Sequence, residues 1–577
     1  MHVNQNRFRE FLLLTGLCGF FFFFRLSGFG LVGPDEPRYA QIAREMLTRH
    51  DWVTPILYGH TWLEKPILLY WGEMLSYSIF GVSDWAARVP SAIAATLLVF
   101  GTFLTVRRIR HEARLDAALA IASSVLVLGF AHAAATDMLL AAPFCLSLLA
   151  WFCWYQSLTE QSTLDAASSK PAKLWLVLFY ALNALAMLAK GPVAPALAAF
   201  VIIAFCASQR NFKALLRTLD PMGIIVFLAV AAPWYILVQL RTPEFFSVFF
   251  LKNNLARFGS NLYRHKQPFW YYIPVALIAA LPWIVWVLYG LADGFRALRL
   301  QLRKAAQPMA TDAEDEPAYT FEIFLFLWAL IPIAFFSLSG SKLPGYILPA
   351  IPPLLILAAL AIHRRAGRDE RPRRLAIFVH AALLAAIAAA LVMAPRLAFK
   401  LPATATSIMV AAFAGTAVFL IVAIPLLTSG WRMLRFVTLL PLILAVGFLL
   451  RGLAPAVDAT QSSRPIADLL QIVVPHTDQP DALPVSTFYL NRNTAFGLAF
   501  YLDRRVVPYE GLEVSPAVYE IQASIPSSAH ILVTREGSLS ALSLLLPNRG
   551  LRFLGSYRAQ RIEIYEVSAA PVRADVE

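Results

Sequence analysis

Apolar runs close to the length of a bilayer-crossing helix recur along this chain from about residue 11 to about residue 450. The runs are continuous rather than alternating apolar and polar, which selects helices over a membrane barrel. Composition agrees: hydrophobic residues make up 59% of the 577 and charged residues only 15%, too little polar surface for a soluble fold over most of the length. The pattern predicts about thirteen spans. Their centres fall near Phe20, Ala95, Val125, Cys145, Leu182, Val201, Leu228, Ile278, Leu327, Leu354, Ala385, Gly415 and Ile443.

Basic residues orient the spans. Every second loop carries a cluster: Arg7 and Arg9; Arg107, Arg108, Arg110 and Arg114; Lys170 and Lys173; Arg210, Lys213 and Arg217; Arg296, Arg299, Arg303 and Lys304; the run from Arg364 to Arg374; Arg432 and Arg435. By the positive-inside rule these loops and the N-terminus face the cytoplasm, and an odd number of spans puts the C-terminal part outside. The net charge of +13 is therefore read as topology and attraction to anionic membrane lipids, not as a nucleic-acid surface. Cys18, Cys145, Cys153 and Cys206 all lie in apolar spans, which gives no sign of disulfides or a thiolate metal site. The first span lacks a small-residue cleavage site and reads as a retained helix.

The expected organisation is a transmembrane domain over 1–452 and a small external α/β domain over 453–577. The first external loop, 31–84, is too long for a plain connector. Within it, 35–47 reads as an amphipathic helix capped by Asp35 with Pro37 in its first turn, and 66–80 as a more apolar helix. A second external segment spans about 241–272 and a third is the tight turn 339–346. In the external domain strands are expected at 485–489, 505–507, 531–534 and 561–567, with helices at 463–474 and 517–523.

Two motifs at the outer face carry the chemistry. Gly33-Pro34-Asp35-Glu36-Pro37-Arg38-Tyr39-Ala40 follows the first span, and Trp62-Leu63-Glu64-Lys65-Pro66 comes soon after. Taken alone, Asp35 and Glu36 are adequately explained as a helix cap and a first-turn acid favoured by the helix dipole. Asp137, Lys190 and Lys342 fall on the same side, however, and carboxylates at a bilayer boundary are costly unless paired or used. A charged cavity above an apolar body is the expectation.

Transfer of a sugar from a polyprenyl phosphate uses such groups in a definite way. The phosphate leaving group needs cations to steady its growing charge. Candidates are Arg38, Lys65, Lys190, Arg257, Arg264 and Lys342, with Tyr39 beside the first and Tyr346 as a hydroxyl donor. A hydroxyl acceptor needs a carboxylate base, drawn from Asp35, Glu36, Glu64 and Asp137. A phosphate acceptor is already ionised and needs screening instead. His265 with Glu64 or Asp137 is the candidate set for a divalent metal, without supporting ligand spacing, and a solvated interface histidine is the simpler account.

At these residues the chain resembles the aminoarabinose transferase family and related polyprenyl-phosphate-sugar transferases, including the protein O-mannosyltransferases. The resemblance rests on the two first-loop motifs, Lys190-Gly191-Pro192, Arg257-Phe258 with His265-Lys266-Gln267-Pro268-Phe269-Trp270, and Ser339-Gly340-Ser341-Lys342-Leu343-Pro344-Gly345-Tyr346. It covers about residues 10–365 and fades over the later spans and the external domain. It implies the membrane-embedded GT-C fold, with 4-amino-4-deoxy-L-arabinose moved from undecaprenyl phosphate to lipid A phosphate at the periplasmic face of a bacterial inner membrane. Asp35 and Glu64 then become cavity carboxylates, and Arg38, Lys65, Lys342 and Tyr346 donor-phosphate contacts. Relatives act on other sugars and acceptors, among them protein hydroxyls. A carrier of lipid-linked sugars would also have many spans, but related halves and paired broken helices at the midplane are missing here. A scaffold presenting the external domain leaves the first-loop charges unexplained.

Overall fold

The apolar runs become helices, as a solvent without hydrogen-bonding partners demands. The computed structural model describes residues 2–160, 170–256, 267–306, 319–368, 372–398, 401–474, 483–510, 512–515, 519–521 and 524–570. Among these, eight helices are long and apolar enough to cross a membrane, or up to ten if each of two bent pairs is one span. The protein is a multi-pass membrane protein.

Helix is present at each of the thirteen expected centres, but length and composition do not return that count. The run near Val125 is bent by 59° and the run near Ile278 by 117°. Val193–Ser208 has 16 residues, short for a crossing. The stretch Ala405–Gln461 is 57 residues long and is interrupted at Gly430, where a positive φ of 61° lets the chain turn.

Within the first loop, α1 (Asp35–Thr48) and α2 (Leu68–Phe80) flank a short hairpin of Ile56–Leu57 with His60–Thr61. Pro34, not Asp35, is the N-cap of α1, and no side chain caps it. Asp35 turns instead to Arg38, one helical turn on. The spans that frame the loop are α3 (Asp84–Ile109), α4 (Thr136–Glu160), α5 (Lys170–Lys190), α6 (Val193–Ser208), α7 (Thr320–Ser337) and α8 (Ile351–Gly367). A 3₁₀ segment, Pro344–Ala350, leads into α8.

One buried ion pair fixes the loop to the bundle. Arg88 of α3 is fully buried and donates to Glu36 Oε1 at 3.2 Å and Oε2 at 2.9 Å. The same guanidinium donates to the carbonyls of Leu26, Phe29 and Gly30, at 2.8, 2.7 and 2.9 Å. Glu36 also accepts the amides of Val32 at 2.8 Å and Ala134 at 2.7 Å. A buried charge survives only when paired and hydrogen-bonded, and here both partners are. At the opposite end of the bundle a second network ties spans together: Arg365 holds Asp293 through bonds of 2.7 and 3.0 Å, Arg364 meets Glu322, and Asp116 joins His363 to Arg435.

Past Gln461 the chain forms a small C-terminal α/β unit. Helix α9 (Arg464–Val473) precedes β1 (Val485–Phe488), α10 (Arg492–Leu502), β2 (Val506–Pro508), β3 (His530–Arg535), β4 (Leu551–Tyr557) and β5 (Ile562–Val567). The sheet order is β2-β1-β3-β5-β4, parallel through its first three strands and antiparallel after them. The expected helix at 517–523 is overturned. Tyr519–Ile521 pairs as a strand with Leu512–Ser515, and the flanking 516–518 and 522–523 lie outside the described residues.

Candidate active site

Helix α1 turns one face to the bundle and presents Asp35 and Arg38 at its N-terminal end. Arg38 is nearly fully buried. Its Nη2 lies 2.5 Å from Asp35 Oδ1 and 3.6 Å from Glu64 Oε2. Its guanidinium also rests over three rings, Trp62 at 4.9 Å, Tyr39 at 5.2 Å and Phe496 at 5.9 Å. Burial alone would lower the Arg38 pKa, but the adjoining Asp35 and Glu64 carboxylates raise it, so the cation is held charged. Asp35 has a half-exposed side chain, 52%, and keeps one face to water. Glu64 continues the chain of charge to Lys65, whose Nζ is 3.2 Å from Glu64 Oε1.

A second pair comes from the spans. Lys190, at the end of α5, donates to Asp137 Oδ1 of α4 at 2.6 Å and lies 5.0 Å from the centre of the Tyr346 ring. Gly345 makes this approach feasible: a Cβ there would stand 2.5 Å from Asp137 Oδ1. Lys342 is buried and donates to the Ser339 carbonyl at 2.6 Å, which spends its ammonium on shaping the 339–346 turn.

The two pairs meet across a cavity of about 500 Å³. Its polar wall holds Glu64, Lys65, Lys190, Asn253, Asn254, Ser339 and Tyr346, and its apolar wall Val193, Ala196, Phe250, Leu251, Phe335 and Phe336. Asp35 and Arg38 are not in that wall and reach it through Glu64. Two lysines at one end and aromatic and aliphatic side chains along the other suit an amphiphile with an anionic head and a hydrocarbon tail.

Several expected site residues fall elsewhere. Glu36 lies in the Arg88 staple with its oxygens occupied, so its assignment as a catalytic carboxylate gives way to a positioning one. Tyr39 is buried against Tyr70, with ring centres 6.1 Å apart, and its side chain hydrogen-bonds Arg38 rather than lining the cavity. Arg257, Arg264 and His265 lie outside the described residues. Glu64 faces two cations, a poor setting for a metal ligand, and no group of three His, Cys, Asp or Glu side chains converges among the described residues.

Sequence reasoning missed Arg88, Phe496 and Glu73. A lone arginine inside an apolar run was a readable signal for the first. Phe496 carried none, because its partner Arg38 is more than four hundred residues away in sequence. Glu73 of α2 is fully buried, and neither carboxylate oxygen has a hydrogen-bond partner among the described residues. Burial, with the nearby Glu36 charge, pushes its pKa well above the ordinary carboxylate range.

Comparison with known proteins places these features. Residues 17–249 match the family model for dolichyl-phosphate-mannose-protein mannosyltransferase. A Pseudomonas paraeruginosa protein named undecaprenyl phosphate-alpha-4-amino-4-deoxy-L-arabinose arabinosyl transferase is 34% identical over 363 residues, 63% of this chain and 61% of that one. The chain thus spans about three-fifths of that curated relative. An Erwinia tasmaniensis protein of the same name is 32% identical over 446 residues, 76% of this chain and 75% of its own. The crystal structure of ArnT from Cupriavidus metallidurans bound to undecaprenyl phosphate superposes with a TM-score of 0.72 at 24% identity, covering 96% of this chain and 97% of that one. That likeness establishes the fold.

Proposed function

This chain belongs to the undecaprenyl phosphate-4-amino-4-deoxy-L-arabinose arabinosyl transferase family, and from that premise we propose that it moves this sugar from undecaprenyl phosphate to a phosphate of lipid A. The observation that carries the reading is the cavity in which Glu64, Lys65, Lys190 and Tyr346 face an apolar wall of Phe250, Leu251, Phe335 and Phe336. The donor phosphate sits at the lysines and its polyprenyl chain follows the apolar wall.

In the step proposed, an oxygen of the acceptor phosphate attacks C1 of the sugar. The bond from C1 to the donor phosphate oxygen breaks, and undecaprenyl phosphate leaves with the electron pair. Charge therefore grows on the leaving phosphate, where Lys65 and Lys190, backed by Arg38, stabilise it more in the transition state than in the ground state. A single displacement inverts the configuration at C1. The acceptor phosphate needs no base, so Asp35 holds Arg38 and orients the incoming group. The reaction is assigned to the periplasmic face of a bacterial inner membrane, with the N-terminus cytoplasmic and the external α/β domain periplasmic, because the basic loops lie at the other end of the spans.

The mannosyltransferase family match over 17–249 favours a second reading, transfer of a hexose to a protein hydroxyl with Asp35 as base. One experiment separates the two. Purified protein is incubated with undecaprenyl-phosphate aminoarabinose and lipid A, or with native membrane lipids and protein, and each fraction is weighed by mass spectrometry. A pentosamine mass on lipid A is expected. A hexose mass on protein, with lipid A unchanged, would replace the substrate. A donor that crosses the bilayer unconsumed would point to transport.

A further inference from the structure

We infer that the external domain completes the phosphate-handling site, and that Phe496 of α10 is a positioning residue holding the Arg38 guanidinium in place. The inference rests on the reading of Arg38 as a cation that backs the donor phosphate.

Arg38 stands in an aromatic box. The first loop builds two walls, Tyr39 and Trp62, and the external domain supplies the third, Phe496, with its ring centre 5.9 Å from the guanidinium carbon. Asp35 at 2.5 Å and Glu64 at 3.6 Å both meet Nη2 of this planar cation and the Tyr39 side chain adds a hydrogen bond, while Nε has no hydrogen-bond partner among the described residues. Ring faces attract a cation through their quadrupole and resist its rotation, most effectively where water is kept out. Phe496 is itself buried, and stacks on Tyr58 with ring centres 6.4 Å apart and an interplanar angle of 17°.

The placement of Phe496 is fixed by contacts along its helix and beyond. Arg44, two turns along α1 from Arg38, pairs with Asp503 at 2.6 Å and donates to the Phe500 carbonyl at 3.0 Å. Just upstream of α1, the Gly30 amide donates to Asp458 at 2.7 Å and the Leu31 amide to the Tyr501 hydroxyl at 2.7 Å. Gly30 keeps this docking close, because a Cβ would lie 2.2 Å from Ser462 Oγ and 2.5 Å from the Tyr501 hydroxyl and both side chains would have to shift. Arg464 closes the far side on Asp84 at 2.8 Å. The domain is thus docked at both ends of the segment that presents Arg38.

The test compares Phe496→Ala, Phe496→Leu and Phe496→Tyr in the full-length protein. Hydrogen exchange over residues 31–48 is read in detergent without substrate, and kcat and donor KM are read with undecaprenyl-phosphate aminoarabinose. Phe496→Ala is expected to speed exchange across 31–48, leave the spans unchanged, and lower kcat about tenfold with donor KM shifted less than about threefold. Phe496→Tyr restores a ring face and should recover kcat to within about twofold, whereas Phe496→Leu fills the volume without the quadrupole and should not. Equal recovery by Leu and Tyr, or Phe496→Ala with wild-type exchange and kcat, would overturn the inference. If wild-type protein transfers nothing from this donor, the substrate reading fails by itself and the exchange data still decide the docking. Should Phe496→Ala not fold, Asp503→Asn breaks the clasp at the other end of α10, and it too must loosen 31–48 for the inference to stand.

Discussion

Asp35 and Glu36 are adjacent carboxylates with opposite fates. Asp35 is half exposed and paired with one arginine, while Glu36 is buried and bonded to Arg88 and two backbone amides. Replacing Glu36 by Gln removes the charge that compensates Arg88 and turns an amide NH₂ toward backbone donors. We expect a loss of about 3 kcal/mol, the usual toll of breaking a buried pair, read as a lower midpoint in thermal unfolding. Asp35→Asn should unfold with the wild type yet lose about a hundredfold in transfer rate because Arg38 and the incoming group are no longer held in place, and Lys65→Met should behave similarly through lost stabilisation of the leaving phosphate. The reverse pattern, an unstable Asp35 variant and an inactive but stable Glu36 variant, would exchange the two assignments. Glu73 gives a pH test. Its raised pKa means that the folded chain binds this proton more tightly than the unfolded chain does. Its stability contribution is complete below the ordinary glutamate range and is lost as pH rises toward the raised folded value. Glu73→Gln, neutral at every pH, should therefore gain in unfolding midpoint over wild type as pH rises above the ordinary glutamate range. A difference that shrinks with rising pH would refute the neutral buried carboxyl. Sequence made the charged members of this site visible, since a Pro-flanked cluster of acids and cations beside an apolar span has few other uses. It could not tell Asp35 from Glu36, because the distinction is made by Arg88, 52 residues further on.

At the level of elements, legibility followed the strength of the local pattern. The helix expected at 35–47 and observed at Asp35–Thr48 has proline and acids in its first turn and an apolar face at helical spacing, so local and tertiary preferences agree. The misread segment at 517–523 has no such agreement, and pairing with Leu512–Ser515 decides its conformation. Helix α10 escaped notice because its apolar residues surround Gly497 without a clean stripe. That glycine is needed for close packing, since a Cβ would fall 2.4 Å from Ser463 Oγ. The spans use the same device. Gly290, in the helix Ile284–Ala306, faces the backbone of α8, where a Cβ would stand 2.6 Å from the Leu357 carbonyl carbon. Small residues at such crossings let helix backbones meet in a medium that gives no hydrophobic drive. Gly290→Ala should cost about 1–3 kcal/mol, because backbone cannot move aside as a side chain can. Gly16→Ala is the control: nothing lies within 4 Å of its Cβ, and its unfolding midpoint should stay near wild type. Equal effects of the two substitutions would show that the Gly290 contact does not limit packing.

For the molecule as a whole, the two ends of one span carry different chemistry. Tyr346 lies at the cavity just before α8, and Arg364 and Arg365 lie in its last turn within the opposite charge network. Anionic lipid and the insertion machinery hold arginine-rich ends in the cytoplasm. On the orientation proposed above, the cavity end faces outward, where the proposed acceptor is found. Burial of Cys18, Cys145, Cys153 and Cys206 makes this directly testable, because native thiols give little background. Arg49, in the turn after α1, and Arg368, just past α8, are both exposed. In spheroplasts, Arg49→Cys should react with a membrane-impermeant maleimide, and Arg368→Cys should react only after the membrane is opened. The opposite labelling would place the cavity in the cytoplasm. It would remove the periplasmic assignment together with the acceptor, while the fold, the Arg88 staple and the docking of the α/β domain on α1 would stand, since none of them depends on which side of the membrane they occupy.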